Sequence, residues 1–290
     1  MRSAVHKSEI PESKAFVTKY LNDAFFDPNW HFHSEYQLFV VLEGTGTRFI
    51  GDNIAHFQAG DMVFTGPNMP HLWRNDESYF HKNNHLRVQG IVVYFQETML
   101  GENLLKKDEM LSIRHLFEKT KRGLEFYGTT QVQISQMMQD LLYLKGMESI
   151  IQLLSILQVL ADSSEYNSIS SLGYTNTSKE TDKDRMTEVY NYIFKNYKRN
   201  ISLEEVADVA NMSLTSFSRY FKARTNKSFS AFIGELRIGS ACKLLMEDKN
   251  TIAQISLECG FNTLSNFNKQ FKELMLKTPF EYRKEYTRLL

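Results

Sequence analysis

Short apolar stretches separated by turn-forming residues make up the chain between about residues 30 and 95. They include HFHSEYQLFVVLEG, TRFIGD and MVFTGPN, and the breaks between them are rich in Gly, Pro, Asn and Asp. This pattern predicts closely spaced short strands. Because a sheet of this kind must bury one face and hide its edges, we expect a closed or sandwiched antiparallel barrel.

A helical region follows the predicted strands. Residues 131–161 show helical periodicity with a break at Gly146, and the second segment, IIQLLSILQVLA, is apolar around most of its circumference. A homodimer interface is the use we favour for so much apolar surface, and packing against the barrel of the same chain is the alternative.

Residues 163–183 are polar and nearly free of large apolar groups, which predicts a linker, and the remaining sequence is helical in pattern. The predicted fold is therefore a two-domain α+β chain. An N-terminal antiparallel β-barrel with trailing helices spans residues 1–162. An all-α domain spans residues 184–290.

The overall charge of zero hides an asymmetry between the two halves. Residues 184–290 hold 17 Lys and Arg against 12 Asp and Glu, a net charge of +5, which leaves 17 against 22 and a net charge of −5 for residues 1–183. The basic half is the candidate for binding a polyanion.

The sequence shows no apolar run of membrane-spanning length and no leader pattern, so we expect a cytoplasmic protein. Cys242 and Cys259 lack metal-binding spacing, which favours reduced, packed thiols.

A sharp helix-start signal opens the first helix-turn-helix unit. Ser202 can cap a helix while Glu205, three residues later, can bond back to the backbone. We expect this helix to end near Asn211, which tolerates a left-handed backbone, and Ser213 to cap a second helix. Two short helices joined by a tight turn are the arrangement in which the second helix enters the major groove of DNA.

The same signals recur about 50 residues later. Thr251–Gln254 repeats the capping box, Gly260 lies at the turn, and Asn262 is expected to cap the second helix. Residues 229–246 read as one connecting helix, capped by Ser228, which would hold two reading helices about 34 Å apart. The buried pair of the second helix repeats as well, and these are the four expected core residues: Phe217, Phe221, Phe267 and Phe271.

The strings MSLTSFSRYFKARTNKSFSAFIGELRIGSACKLL and TIAQISLECGFNTLSNFNKQFKELMLKTPFEYR resemble the DNA-binding domain of the AraC/XylS family of transcription regulators. The resemblance implies a double-stranded DNA operator, a small-molecule effector, a homodimer, RNA polymerase as the partner of an activator, and no cofactor. It also implies positions for the DNA contacts. In the first reading helix these are Thr215, Ser216 and Arg219 in the groove with Ser218 and Lys222 near the backbone, and in the second Leu264, Ser265, Asn266 and Lys269 in the groove with Lys272 near phosphate.

The predicted barrel resembles a cupin at two motifs. The first contains His31, His33 and Gln37, which alternation would place on one face of a strand, and the second contains His71. Catalytic cupins usually have Glu where this chain has Gln37, and a neutral amide is a poor ligand for a transition metal, although three imidazoles alone can bind Zn, Ni or Fe. We therefore expect no bound metal and favour histidines that hydrogen-bond an organic ligand.

The resemblance makes a sugar the expected effector, since sugars need aromatic platforms and planar donors. The expected ligand-binding residues are His31, His33, Gln37, Phe39, Arg48, His71 and Trp73, with Trp30 and Arg74 as supporting candidates. The sequence has no phosphate-cradling glycine loop, nucleophile elbow or paired carboxylates, so we expect a regulator and no enzyme. Two alternatives stay open: a metal-dependent cupin enzyme with a DNA-binding tail, and an architectural DNA binder with a vestigial barrel.

Overall fold

The strands of the N-terminal half form two antiparallel sheets. The computed structural model describes residues 10–81, 85–176, 182–247 and 249–287. Six strands pair in the order β1-β7-β2-β5-β8-β9 and three in the order β4-β3-β6. The strands are β1 (Phe16–Asp23), β2 (Tyr36–Glu43), β3 (Gly46–Ile50), β4 (Asn53–Phe57), β5 (Met62–Thr65), β6 (His71–Asn75), β7 (Val88–Phe95), β8 (Leu124–Phe126) and β9 (Tyr166–Ser168).

The central strands of the larger sheet bury both of their faces. In β2, Leu38 and Val40 point to a core shared with helices, whereas Phe39 and Val41 point to a core shared with the smaller sheet. This explains why the strand is an almost unbroken apolar run, since side chains alternate between faces and both faces are covered. The expectation of a cupin-like barrel with trailing helices is confirmed.

Four helices of the N-terminal half cover the outer face of the larger sheet. They are α1 (Glu102–Leu105), α2 (Leu111–Thr120), α3 (Gly128–Leu141) and α4 (Gly146–Asp162). The predicted break at Gly146 is confirmed, and this glycine has a φ of 57°. One stripe of α4, which includes Leu153 and Leu157, packs into the core, while Met147 and Ile151 remain 69% and 55% exposed.

The expected linker differs from the structure in its first part. Residues 163–176 belong to the N-terminal unit, which the distribution of contacts assigns to residues 1–176. Strand β9 pairs with β8, and Ser170 is buried behind it. The prediction was wrong because these residues are held by hydrogen bonds together with a few isolated apolar side chains, Tyr166, Ile169 and Tyr174, too few to mark the segment as packed.

The second unit, residues 177–290, contains helices joined by short turns and loops, with no strand among its described residues. Its helices are α5 (Asp182–Asn196), α6 (Leu203–Val209), α7 (Leu214–Thr225), α8 (Phe229–Glu247), α9 (Ile252–Glu258), α10 (Leu264–Met275) and α11 (Pro279–Thr287). The two expected capping boxes are present at the starts of α6 and α9. Asn211 has the expected left-handed backbone, with a φ of 53°.

One expected cap was wrong. Ser213 caps α7 as predicted, but Thr263 and not Asn262 caps α10, and its Oγ1 accepts a bond of 3.2 Å from the Asn266 amide. An N-cap side chain reaches the amide three residues ahead, so a cap at residue 262 would lie one position too early. Thr263 is 50 residues after Ser213, and the repeat itself carried this signal.

Helix α8 supplies core residues to both helix-turn-helix units. Phe232 of α8 lies 5.2 Å from Phe221 of α7, measured between ring centroids. Further along the same helix, Ile238, Ala241 and Leu245 pack in one cluster with Phe267 and Phe271. A single helix therefore fixes the orientation of both second helices.

Cys259 is buried and Cys242 partly buried, and both thiols are free. Burial raises the pKa of each to about 11. Their predicted packing is confirmed, and their reduced state remains a prediction. None of the described helices has the length and hydropathy needed to cross a membrane.

The buried phenylalanines of the C-terminal unit give a stability prediction. Phe267→Ala should lower the free energy of unfolding of this unit by about 3–5 kcal/mol, because the ring is fully buried and leaves a cavity. Hydrogen exchange of the α10 amides in the full chain measures the change. Leu257→Ala, at a side chain that is 67% exposed, is the control and should change it by less than about 0.5 kcal/mol. Equal losses in the two variants would contradict the packing described here.

Candidate functional site

Three histidines converge inside the N-terminal unit, and we call His31, His33 and His71 the histidine cluster. Their ligand atoms lie within 4.8 Å of one another. We expected alternation along one strand to bring His31 and His33 to the same face. That reason was wrong, because β2 begins only at Tyr36 and both histidines precede it. An isolated backbone bridge between His31 and His71 brings them together instead.

Each ring of the cluster is oriented by a backbone carbonyl. The Nδ1 atoms of His31, His33 and His71 lie 2.7, 3.2 and 2.7 Å from the carbonyl oxygens of Asn29, Glu35 and Met69. Because a carbonyl only accepts, the Nδ1 atoms of His31 and His71 carry the proton and, in the neutral rings, their Nε2 atoms keep a lone pair. Both ring nitrogens of His33 face an acceptor oxygen, because its Nε2 lies 3.1 Å from Gln37 Oε1. The cluster therefore presents two unprotonated imidazole nitrogens, those of His31 and His71.

His71 Nε2 is buried and has no hydrogen-bond partner among the described residues. Burial holds the pKa of His71 well below its ordinary value, and the neighbouring His31 and His33 lower it further. A buried nitrogen that stays neutral and unpartnered suits either a ligand donor or a divalent metal of the zinc, nickel or iron type. Gln37, where catalytic cupins have a carboxylate, lies with its Oε1 3.1 Å from His33 Nε2.

A cavity of about 820 Å³ opens beside this cluster. Four of the seven expected ligand-binding residues line it: His31, Gln37, Phe39 and Trp73. Phe39 and Trp73 meet edge to face with ring centroids 4.9 Å apart. The cavity wall thus combines aromatic faces with an imidazole and an amide, a mixture typical of small-molecule sites.

The other expected ligand residues lie outside the cavity wall. His33 and His71 stand behind His31 in the cluster. Arg48 is buried, and its guanidinium pairs with Asp61 at 3.2 Å and Glu125 at 2.7 Å. The supporting candidates are also elsewhere, with Trp30 against Phe32 and Arg74 over the ring of Phe80.

Sequence reasoning missed most of the cavity wall. Tyr94 and Val92 of β7 line it, and the alternation of that strand, which places them on one face, was the available signal. The remaining missed residues come from the edge strand β1 and the irregular segment before β2, where no periodicity marks them. They are Lys19, Leu21, Asp23, Ala24, Phe25, Phe26, Asp27, Pro28 and Asn29.

In the C-terminal unit, the ten residues expected to contact DNA lie on the outer sides of α7 and α10. Nine are exposed and Ser218 is partly buried. Their opposite sides carry the phenylalanine pairs, which are fully buried.

Helix α6, the first helix of the first helix-turn-helix unit, is held by an ionic network, in which Arg199 and Tyr192 both donate to Glu205 at 2.6 Å. These bonds lower the pKa of Glu205 to about 2.

The buried carboxylate beside the cavity gives a pH prediction. Burial raises the pKa of Asp61 from 3.8 to about 6, although Arg48 opposes the shift. The folded chain therefore binds this proton more tightly than the unfolded chain, so its contribution to stability is complete below about pH 4 and is lost as the pH rises through about 6. Urea denaturation should show this loss, at most about 3 kcal/mol, in the wild type and not in Asp61→Asn. Parallel pH profiles of these two proteins would contradict the assignment, and Asp140→Asn, at an exposed carboxylate of α3, is the control.

Two family descriptions match the chain at these sites. A helix-turn-helix domain matches residues 206–285, and a cupin domain matches residues 24–79. The first covers nearly all of the two helix-turn-helix units, and the second covers the histidine cluster and much of the cavity wall. The expected domain types are confirmed.

Among curated relatives, the helix-turn-helix transcriptional regulator YdeC of Bacillus subtilis is 32% identical over 100 residues, which is 34% of each chain. The Msm operon regulatory protein of Streptococcus mutans is 25% identical over 86% of this chain and 84% of its own. The transcriptional activator RhaR of Mannheimia succiniciproducens is 20% identical over 88% of this chain and 87% of its own. The chain thus contains a helix-turn-helix domain and a cupin domain, and along more than four fifths of its length it is similar to transcription regulators of the AraC family.

Proposed function

We propose that a small molecule bound in the N-terminal cavity controls how tightly the two helix-turn-helix units bind an operator. The observation that carries this proposal is the presence in one chain of an aromatic and polar cavity and of two reading helices whose polar sides are exposed. A ligand that prefers one of two conformations shifts the equilibrium between them, and a change of about 5–150-fold in DNA affinity is typical of such coupling.

We propose DNA contacts for residues on the exposed sides of the two reading helices. Arg219 in α7 and Lys269 in α10 can donate to guanine O6 and N7, and Asn266 can pair with adenine. Leu264, exposed at the first turn of α10, can contact a thymine methyl group. The residues assigned to the phosphate backbone are Ser218, Lys222 and Lys272. A connecting helix of 19 residues supports the expected separation of about one turn of DNA, because it is about 28 Å long.

A sugar is the ligand class we favour for the cavity. Phe39 and Trp73 offer apolar ring faces against which a sugar ring can pack, and Gln37, Asn29 and Asp27 offer polar groups for hydroxyls. The cavity volume of about 820 Å³ lies within the range of small-molecule sites and would accommodate a mono- or disaccharide.

A homodimer is the assembly we propose, through the exposed apolar side chains of the α3–α4 hairpin. Tyr143, Met147 and Ile151 lie there with large exposed areas. Exposed apolar groups in such a cluster mark contact surfaces. Acting in the cytoplasm as an activator, the dimer would have RNA polymerase as its further partner, and we propose no enzymatic role.

The histidine cluster makes a metal centre the second candidate for this cavity. The specific observation in its favour is the buried His71 Nε2, which has no hydrogen-bond partner among the described residues, together with the convergence of three imidazole rings whose ligand atoms lie within 4.8 Å of one another. A bound zinc, nickel or iron ion would supply Lewis acidity, as in a metal-dependent cupin enzyme. This chain would contribute three imidazoles and the Gln37 amide.

The assignment of the reading helices can be tested on DNA. Arg219→Ala and Lys269→Ala should each weaken specific binding by about 1–3 kcal/mol, because each removes a base contact and leaves the fold intact. The duplexes are those that the wild-type chain selects from a random pool, and affinity is measured at fixed salt. Lys249→Ala, an exposed lysine between α8 and α9, is the matched control and should bind as the wild type does. Undiminished specific binding in both groove variants would contradict the assignment.

The ligand class can be tested with a panel of mono- and disaccharides. At least one should raise the melting temperature of the full chain and change its affinity for the selected duplexes, and Trp73→Leu should abolish both effects. Trp30→Leu, at a buried tryptophan that does not line the cavity, controls for lost packing.

The metal content of the purified chain decides between the two candidates, and we expect less than one ion per chain. A panel without effect, together with one iron, nickel or zinc ion that is lost in His33→Ala and kept in His56→Ala, would favour the metal centre.

A further inference from the structure

The last described residues of the N-terminal unit, 169–176, form a segment that we call the strap. The amides of Ile169 and Ser170 donate to the carbonyls of Gly123 and Arg122 at 2.9 and 2.8 Å, and the Arg122 guanidinium donates back to the Ser170 carbonyl. The strap thus continues past β9 along the N-terminal unit. It is the last part of the N-terminal unit along the chain. The first described residue of the C-terminal unit is Asp182.

Beyond Ser170 the strap is held by polar contacts and by Tyr174, which packs against the core between the two sheets. The Ser171 amide donates to the Asp52 carboxylate at 3.0 Å, its hydroxyl bonds the same carboxylate, and the Asn176 amide group donates to the Asn68 carbonyl at 2.6 Å. Between these points Leu172 is 89% exposed. Tyr174 is only partly buried and most of its neighbours in the strap are exposed, so this segment opens more easily than one with a fully buried apolar face.

The loop that receives the strap also carries the histidine cluster on its other side. We call residues 66–70, between β5 and β6, the histidine loop. Its Asn68 amide donates to the His33 carbonyl at 2.7 Å, and its Met69 carbonyl accepts from His71 Nδ1 at 2.7 Å. Asn68 has a φ of 58°, a left-handed backbone that turns its amide and carbonyl to different partners.

Asn68 therefore links the two features through its own backbone. Its amide binds the histidine cluster and its carbonyl binds the strap. Next to it, the Met69 carbonyl holds His71 while the Met69 sulfur lies 4.0 Å from the Ser170 hydroxyl. Any shift of His33 or His71 that moves the histidine loop must alter the geometry of the strap bonds.

We propose that the strap is the element that couples occupancy of the cavity to DNA binding, by staying docked on the histidine loop in one state and detaching in the other. This proposal rests on the proposed function. His31, which lines the cavity, contacts both other rings of the cluster, so a ligand that touches it acts on the rings that hold the loop.

Detachment would change the length of chain available between the two units. With Asn176 held, six Cα–Cα steps lead to Asp182, a span of at most about 21 Å. With the strap released back to Ser168, fourteen steps are available, a span of at most about 49 Å. In a dimer, the tether length sets the effective concentration at which the second DNA-binding unit finds its half-site.

The test uses the full chain with the two side-chain donors of the strap removed, Ser171→Ala with Asn176→Ala; the backbone bond from residue 171 to Asp52 remains. Leu172→Ala, in the same segment without a strap bond, is the matched control, and melting temperatures verify that each variant folds. Hydrogen exchange is read at the Ser170 amide in the strap, at the Asn68 amide in the histidine loop and at the Phe64 amide in β5. Affinity is measured on duplexes selected by the wild type from a random pool.

We expect exchange at Ser170 and at Asn68 to rise about fivefold or more in the double variant, the factor for one lost hydrogen bond, with Phe64 unchanged. DNA affinity should change about fivefold or more, and the control should match the wild type throughout. Faster exchange at Ser170 without a change at Asn68 would overturn the proposal, as would unchanged DNA affinity after both amides loosen. If neither the wild type nor the control selects a duplex, the proposed function itself fails. If both bind DNA and the double variant binds with the same affinity, only the proposed role of the strap fails.

Discussion

In each helix-turn-helix unit, two phenylalanines one helical turn apart pack against the long helix α8. The DNA-facing surfaces depend on this packing. Phe217 and Phe221 pack on the first part of α8, and Phe267 and Phe271 on its later part. Because each pair buries one side of its helix, the opposite side must face solvent. The polar residues proposed to read DNA are exposed for this reason, and a single rod fixes both surfaces.

In the N-terminal unit the corresponding constraint is the burial of both faces of the larger sheet. One face is covered by helices and the other by the smaller sheet, which leaves the histidine cluster and the cavity at the edge of the inner core. The backbone bridge between His31 and His71 joins the segment before β2 to β6. The site is thus built where two sheets meet, and rigid strands support its aromatic wall.

Local signals predicted much of this structure. The capping boxes and the buried phenylalanine pairs could be predicted because each depends on residues a few positions apart. The 50-residue repeat could be predicted because both copies carry these same local patterns. The wall contributed by residues 19–29 was not, because an edge strand and an irregular segment follow no buried periodicity. Arg48 shows a further limit, since sequence could not reveal that Asp61 and Glu125 would neutralise it. The sequence predicted a linker at the strap because hydrogen bonds to residues far away in the sequence cannot be inferred from composition.

We propose that one chain presents two reading helices to consecutive major grooves on one side of the duplex. Methylation interference on a duplex selected by the full chain tests this arrangement, since modification at guanine N7 blocks major-groove contacts. We expect two groups of interfering guanines for each chain, about 10 base pairs apart and on the same side of the helix. A single group, or two groups half a turn out of phase, would contradict it.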